Sequence, residues 1–228
     1  MKKLFEGVHR FHTGVIFDQK ETFNRLAKGQ KPETLFITCS DSRIDPALLT
    51  QTAPGEIFVI RNAGNLVPPH GSIEGGTGAS IEFAVVGLNV TDIVICGHTS
   101  CGAIKGLLNP EALTAMPSVA RWLTYADATR EIIKSAYADV TEPEALQIIA
   151  TQENVLVQLE NLRTIPCVAA GLVAGTLKLH AWVFQIGTGE VYAYDPDERQ
   201  YKLITESHKT PERSGRGRIK SRTQASAH

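Results

Sequence analysis

The chain contains 228 residues, 43% of them hydrophobic, which is enough for one domain with a substantial core. Its 23 Lys and Arg residues nearly balance its 24 Asp and Glu residues, so the charge does not suggest nucleic-acid or membrane-surface binding. Four cysteines are too few for a disulfide framework and favour a reducing compartment. The N-terminus lacks the sustained apolar stretch of a signal peptide, and no segment approaches the ~18 apolar residues of a membrane span. We therefore expect a soluble, cytoplasmic protein.

Helices and short apolar strands are predicted to alternate in the first half of the chain. Residues 4–28 have the apolar spacing of an amphipathic helix, which is interrupted near Gly14. Three apolar runs predict buried strands, at 35–39, 57–60 and 93–96. A helix predicted over 77–88 connects the last two runs. Strands that alternate with helices indicate parallel pairing through crossover connections.

The second half of the chain predicts helices from 118 to 175 and then a hairpin. The stretch 141–144 (TEPE) is typical of a capping box with proline in the first helical turn. Two strand-like runs, at 180–187 and 190–194, flank a glycine turn. The sequence therefore predicts an α/β fold, with a mostly parallel central sheet flanked by helices and a C-terminal β-hairpin.

The composition changes after about residue 203. Residues 208–228 contain six Lys or Arg residues against one Glu, and Ile219 is their only large apolar residue. Such a stretch cannot bury enough surface to offset the entropy lost on ordering. We expect one domain over residues 1–202 and a basic, disordered tail over residues 203–228.

Two short motifs carry the chemistry of the chain: CSDSR over residues 39–43 and HTSC over residues 98–101. Each motif follows an apolar run, and the carboxyl ends of parallel strands meet at one edge of an open sheet. Cys39, His98 and Cys101 should therefore converge. Two thiolates and one imidazole suit zinc, and three protein ligands with an open fourth position are typical of catalytic sites. A structural cluster without metal is the alternative at this stage, and Cys96 and Cys167 are expected in the core.

Asp41 and Arg43 add a charged pair to the predicted metal site. Two thiolates cancel the formal charge of Zn²⁺, so activating water near neutral pH requires further help. Asp41 could accept a hydrogen bond from the bound hydroxide, or it could bind the metal and block the open position. The guanidinium of Arg43 matches a carboxylate and could hold Asp41 away from zinc.

These motifs resemble those of the β-class carbonic anhydrases, especially the bacterial and cyanobacterial members. The resemblance runs from about residue 2 to residue 202 and includes further stretches at 29–30, 58–65, 80–85 and 180–184. It implies reversible hydration of CO₂ to bicarbonate and a proton, by attack of zinc-bound hydroxide. It also implies that Cys39, His98 and Cys101 bind one zinc ion per chain, with Asp41 as fourth ligand or as partner of the zinc-bound water.

The resemblance further implies a small CO₂ pocket at a dimer interface. Gln30 of the partner subunit would hydrogen-bond the substrate, and Gly102 would lie beside the metal. The apolar walls would be Phe58, Ala63 and Phe83. The N-terminal helical arm would be exchanged across a homodimer, and tetramers or larger assemblies are common in the family. Neither a membrane nor a nucleic acid is expected as partner, and the cytoplasmic location is compatible with carboxysome association.

The chain departs from patterns known in the family in two respects. Many plant-like relatives have tyrosine where this chain has Phe83. Relatives regulated by a noncatalytic bicarbonate site have tryptophan and tyrosine where this chain has Phe36 and Phe184, so only Arg61 of that trio is retained. Losing two polar groups should weaken such an anion site strongly. We therefore predict the open arrangement, with water on zinc and Asp41 paired to Arg43 near neutral pH.

Several alternative functions are compatible with parts of this pattern. The same zinc site could hydrolyse CS₂ or COS if the pocket were narrowed. A metal-free enzyme could use Cys39 as nucleophile and His98 as base. A zinc-stabilised interaction module would need a blocked metal site. A nucleotide-binding loop at 75–78 is disfavoured because the GxGxxG spacing directly after a strand is missing.

Overall fold

A six-stranded mixed sheet forms the centre of the protein in the computed structural model, which describes residues 1–72 and 75–206. The spatial order of the strands is β2-β1-β3-β4-β5-β6. The first four strands pair in parallel, and β5 and β6 extend the sheet in antiparallel fashion. The strands are β1 (Thr34–Cys39), β2 (Ile57–Asn62), β3 (Asp92–His98), β4 (Lys178–Phe184), β5 (Val191–Asp195) and β6 (Gln200–Leu203).

Ten α-helices accompany this sheet in the described part of the chain. The N-terminal arm, the crossover connections and the long central segment contain them in chain order: α1 (Lys2–Arg10), α2 (Ile16–Asp18), α3 (Lys20–Leu26), α4 (Pro46–Thr50), α5 (Gly76–Glu82), α6 (Gly102–Leu108), α7 (Pro117–Leu123), α8 (Asp127–Ala136), α9 (Pro143–Thr164) and α10 (Pro166–Ala174). Two π-helical turns, Phe11–Val15 and Phe83–Gly87, and three short 3₁₀ segments, Ala63–Asn65, Pro110–Leu113 and Thr124–Ala126, complete the helical structure.

These elements confirm the predicted α/β fold and its C-terminal hairpin, with three differences in detail. The interruption predicted near Gly14 is a π-helical turn, from which the chain continues into α2. Helix α9 begins at Pro143 as the motif indicates, but its N-cap is Glu142, whose carboxylate accepts hydrogen bonds from two first-turn N–H groups. Strand β6 was not predicted, because its four residues carry little apolar pattern. It forms by pairing with β5.

The apolar core covers both faces of the sheet. Leu35, Ile37 and Ile95 belong to one cluster, and Phe36 and Cys96 belong to another on the opposite face. Cys96 is fully buried, as predicted, whereas Cys167 is only half-buried at the edge of the first cluster. Such alternation along β1 and β3 follows from the pleat, which points successive side chains to opposite faces.

Helix α9 packs directly against β3, next to the predicted metal site. A Cβ atom added at Gly97 would lie 2.8 Å from Val155 Cγ2 and 3.1 Å from Thr151 Cγ2. Glycine at this position therefore allows the helix to pack directly on the strand that ends at His98. The tail beyond residue 206 and residues 73–74 of the glycine-rich connection lie outside the described residues, so the predicted disorder of the tail stays a prediction.

Candidate metal centre and active site

Cys39, His98 and Cys101 converge at the carboxyl edge of the parallel strands. Cys39 is the last residue of β1, His98 is the last residue of β3, and Cys101 caps the N-terminus of α6. Their ligand atoms all lie within 4.8 Å of one another, and all three side chains are buried. The two motifs therefore meet because β1 and β3 are parallel neighbours in the sheet.

The imidazole of His98 is prepared to act as a ligand. Its Nδ1 atom lies 2.9 Å from the carbonyl oxygen of Thr99, so Nδ1–H donates to that oxygen and the lone pair is on Nε2. The Nε2 atom is buried and has no hydrogen-bond partner among the described residues. A buried acceptor without a partner costs free energy unless another group, such as a metal ion, binds it.

The two sulfur atoms are spaced as zinc requires. Cys39 Sγ and Cys101 Sγ lie 3.8 Å apart, whereas a disulfide would bring them to ~2.05 Å. Two thiolates, each ~2.3 Å from one tetrahedral zinc ion, would be separated by ~3.8 Å. Together with the free Nε2 lone pair, this sulfur pair fits a zinc ion with one coordination position left for another group.

The two thiols shift each other's pKa in opposite directions. The Cys101 thiol, aided by His98 and by the Gly64 N–H, lowers the pKa of Cys39 to about 4 despite burial. The Cys39 thiolate and burial raise the pKa of Cys101 far above the usual thiol range. One thiolate is thus stable without metal, and the second sulfur needs a cation before it loses its proton.

Asp41 is held by Arg43 at the border of this donor group. Arg43 donates from its backbone N–H and from Nε to Asp41 Oδ1, both at 2.9 Å, and from Nη2 to Asp41 Oδ2 at 2.7 Å. These hydrogen bonds lower the pKa of the Asp41 carboxyl well below its usual range, so it stays ionised. Asp41 Oδ2 lies 3.9 Å from His98 Nε2.

The Asp41–Arg43 pair also connects the two motifs. Arg43 Nη2 donates to the carbonyl oxygen of Ser100 at 3.0 Å, across to the loop that follows β3. Ser100 has φ +56°, a left-handed conformation that is unfavourable for most residues other than glycine and asparagine. We infer that the Arg43 hydrogen bond is one of the contacts that stabilise this turn between His98 and Cys101.

The comparisons with known proteins agree with this geometry. Residues 34–191 match the family model described as "Carbonic anhydrase". A carbonic anhydrase of Synechococcus elongatus is 48% identical over 192 residues, which cover 84% of this chain and 70% of that protein. The solved β-carbonic anhydrase CcaA is 44% identical with a TM-score of 0.87, and the match covers 90% of this chain and 99% of CcaA. The chain belongs to the β-class carbonic anhydrases.

The activity and the metal of this β-carbonic anhydrase follow from its family. It is a zinc enzyme that interconverts CO₂ and bicarbonate, as predicted. The metal-free alternative, with Cys39 as nucleophile, and the noncatalytic module are thereby wrong. Nothing in these comparisons supports the CS₂ or COS hydrolase. A solved structure from the ascomycete Sordaria macrospora is described as a tetrameric β-carbonic anhydrase; it is 30% identical with a TM-score of 0.71, over 84% of this chain and 92% of that one.

The residues predicted to bind substrate in this β-carbonic anhydrase lie on separate elements of the described chain. The rings of Phe58 and Phe83 lie with their centroids 6.0 Å apart, and Phe83 is 52% exposed. Ala63 is half-buried just after β2, and Gly102 is the exposed first residue of α6, next to Cys101. Gln30 lies in the exposed turn between α3 and β1, and its predicted role in a partner's site stays a prediction.

Arg61 has a structural role that the sequence did not indicate. Its Nε donates to the carbonyl oxygen of Cys39 at 3.0 Å, and its Nη2 donates to those of Asp41 at 2.7 Å and Ile44 at 2.8 Å. This guanidinium therefore fixes the loop that carries Cys39 and Asp41. From the sequence, Arg61 is only the remaining residue of an anion-binding trio. The useful signal would have been its position on the strand next to β1, opposite Thr38.

Proposed function

We propose that the thiolates of Cys39 and Cys101 and the Nε2 atom of His98 hold the catalytic zinc ion of this enzyme. The single observation that supports the assignment is their buried convergence within 4.8 Å, at the edge of the sheet where β1 and β3 end. When bound, zinc supplies the positive charge that makes a water molecule nucleophilic near neutral pH. The two thiolates reduce that charge, so the surrounding residues must contribute to the reaction.

We assign the main contribution to Asp41, with Arg43 as its positioning residue. Asp41 stays ionised and is therefore an acceptor only. It can accept a hydrogen bond from the O–H of the nucleophile and so direct the oxygen lone pair at the carbon of CO₂. Arg43 fixes the carboxylate through three hydrogen bonds, which favours this role over direct ligation of the metal by Asp41.

An Asp41→Asn substitution tests this assignment. We expect a fall of about 10²- to 10⁴-fold in the rate of CO₂ hydration by stopped flow, because the amide can present its N–H₂ instead of an acceptor. The zinc content, measured on the same sample, should remain one ion per chain. Asp195→Asn is the matched control, since Asp195 also pairs with a cation, Lys202 at 2.8 Å, in a hairpin turn. Full activity of the Asp41→Asn enzyme would exclude the role.

Three apolar side chains are proposed to bind CO₂ in a pocket at the subunit interface. Phe58, Phe83 and Ala63 suit a small uncharged substrate, and Gly102 leaves open space next to Cys101, since an added Cβ there would meet no atom within 4 Å. Gln30 of the partner subunit is proposed to complete the pocket by donating a hydrogen bond to substrate oxygen. Gln30→Leu should then lower kcat/KM for CO₂ hydration without loss of zinc, and an unchanged kcat/KM would exclude this role.

We propose that the chain forms at least a homodimer. A tetramer or a larger assembly built from such dimers is proposed as well. Helices α1 to α3 contain no buried residue, and several of their apolar side chains are exposed in the single chain, with Phe5 67% and Phe17 70% exposed. Burying such a surface against a second copy would stabilise both chains. Light scattering of the wild type and of a Phe5→Asp, Phe17→Asp double variant should show a smaller species for the variant.

The finer statements on location and domain limits are also proposals. No helix in residues 1–72 or 75–206 is long and apolar enough to cross a membrane. Four free cysteines, of which two are proposed zinc ligands, suit a reducing cytoplasm. We propose that the enzyme acts there in carbon utilization. The predicted domain limit at residue 202 is slightly early, because Leu203 belongs to β6 and the Ile204 N–H donates to the carbonyl oxygen of Val191 at 2.8 Å. We propose that the enzyme domain ends just after β6 and that the basic tail follows it. Association with carboxysomes is proposed as well, and fractionation of cells would test it.

A further inference from the structure

One peptide unit links a tryptophan side chain to a proposed zinc ligand. The Gly64 N–H donates to Cys39 Sγ at 3.4 Å, and the carbonyl oxygen of the same unit, that of Ala63, accepts a hydrogen bond from Trp122 Nε1 at 2.8 Å. The two hydrogen bonds lie at opposite ends of one peptide group. A donor at the carbonyl end polarises the group and strengthens the N–H as a donor at the other end.

The segment around this peptide is fixed from a second side by α9. Asn154 Nδ2 donates to the carbonyl oxygen of Gly64 at 3.1 Å, and Gln158 Nε2 donates to Asn154 Oδ1 at 3.0 Å. Gln158 Oε1 in turn accepts from the N–H of Val67 at 2.8 Å. Asn154 and Gln158 are almost completely buried, so their hydrogen bonds are not weakened by competing water.

The backbone conformation and close packing of Gly64 leave little room for any other residue. Its φ is +80°, which most side chains disfavour, and an added Cβ would lie 3.1 Å from Ala103 Cβ. The glycine can therefore turn its N–H towards the sulfur while the chain passes close to α6. Hydrogen bonds from the backbone to a metal-bound thiolate draw electron density from sulfur, which leaves more positive charge on the metal.

We propose that Trp122 is a positioning residue of this enzyme: its indole N–H orients and polarises the Ala63–Gly64 peptide so that the Gly64 N–H moderates the charge of the Cys39 thiolate. The proposal rests on the proposed role of Cys39 as a zinc ligand. Trp122 lies on α7, which follows α6 in the chain, so a residue outside both metal motifs adjusts the electronic character of the metal site.

A Trp122→Phe substitution in the cobalt-substituted full-length enzyme tests the proposal. Removing the N–H should weaken the hydrogen bond to sulfur and raise the energy of its lone pair. The sulfur-to-cobalt charge-transfer band should therefore move to longer wavelength, and the rate of CO₂ hydration should fall by about 10-fold. A band at the wild-type wavelength would overturn the proposal, even if the rate fell, because a merely structural loss would not change the ligand's electronic character.

The second tryptophan supplies the matched control. Trp182 lies on β4 and packs edge-on against Phe36, with ring centroids 6.0 Å apart. Trp182→Phe makes the same chemical change there, and the charge-transfer band should stay in place. If Trp122→Phe does not fold, 3-benzothienylalanine can replace Trp122 in the Trp182→Phe background, since it keeps the ring shape and lacks only the N–H.

The outcome for the wild type separates this proposal from the proposed function. Wild-type protein that binds cobalt without any sulfur charge-transfer band would refute Cys39 and Cys101 as ligands. Wild-type protein with a normal band, together with an unshifted band in the Trp122 variants, would refute only the role of Trp122.

Discussion

Replacing Arg61 by methionine should loosen the loop that carries Cys39 and Asp41. The substitution keeps most of the apolar stem but removes the guanidinium, and with it the hydrogen bonds to the carbonyl oxygens of Cys39, Asp41 and Ile44. These carbonyls lie along the segment from the end of β1 to the start of α4. The expected effect is therefore on the metal site more than on the distant core.

The structure allows the size of this effect to be estimated. The hydrogen bonds to Cys39 and Ile44 are partly buried, and the one to Asp41 is exposed and should contribute little. A hydrogen bond from a charged donor stabilises a protein by about 1.5 to 3 kcal/mol, so the two partly buried bonds contribute at least about 3 kcal/mol. A loss of that size, if it fell entirely on the zinc-bound state, would weaken zinc binding by about 100-fold or more. It would lower Tm by about 6 to 12 °C if it affected global unfolding.

Competition with a chromophoric chelator measures the zinc affinity, and calorimetry measures Tm. Arg163→Met is the matched control, since Arg163 forms an exposed ion pair with Glu160 at 3.2 Å on α9, and such pairs contribute about 1 kcal/mol or less. An Arg61→Met enzyme whose zinc affinity and Tm both equal those of the control would refute the reasoning. The carbonyls would then be satisfied by water at no cost.

Three further predictions concern packing, metal identity and thiol reactivity. Gly97→Val should lower the free energy of unfolding, measured by urea titration, by about 1 to 3 kcal/mol, because even a Cβ at this position would lie 2.8 Å from Val155 Cγ2. Gly187→Ala is the control and should change this free energy little, because a Cβ there would meet no atom within 4 Å. Removing zinc with a chelator should abolish CO₂ hydration; Zn²⁺ or Co²⁺ should restore it and Mg²⁺ should not, because the donors are two sulfurs and one nitrogen. In the metal-free protein, the pKa of Cys39 is lowered to about 4, so this side chain is a thiolate above about pH 5. The rate at which iodoacetamide alkylates it should therefore be nearly constant between about pH 6 and 8. The rate for an ordinary thiol rises almost tenfold for each pH unit in this range. Peptide mapping would show this, with the half-buried Cys167, whose pKa is raised by burial, as the control whose alkylation rate should rise steeply with pH; a steep rise at Cys39 would contradict its lowered pKa.

The sequence was informative wherever a local pattern carried the signal. Apolar runs bounded by turn residues predicted the positions of β1, β2 and β3. Strands β1 and β3 are buried on both faces, which requires continuous apolar side chains, but the predicted burial of β2 is wrong, because β2 lies at the edge of the sheet and only its Ile60 is buried. Strand β6 escaped prediction because its residues are partly exposed, and it forms only when β5 offers a free edge. The N-cap of α9 was also ambiguous, since Thr141 and Glu142 both have side chains that can accept from the first turn.

The amino-acid sequence by itself determined the metal donors and their chemistry. The sequence itself contains two thiols, one imidazole, and an aspartate two residues from an arginine. Their placement after apolar runs predicts that they converge at one edge of the sheet. Only the tertiary structure decided what supports them. Arg61, Trp122 and Asn154 act through hydrogen bonds to backbone groups of remote segments, and a backbone carbonyl is the same in every residue. Such partners leave no pattern in the sequence, because what selects them is the distance between folded segments and not the type of residue that they contact.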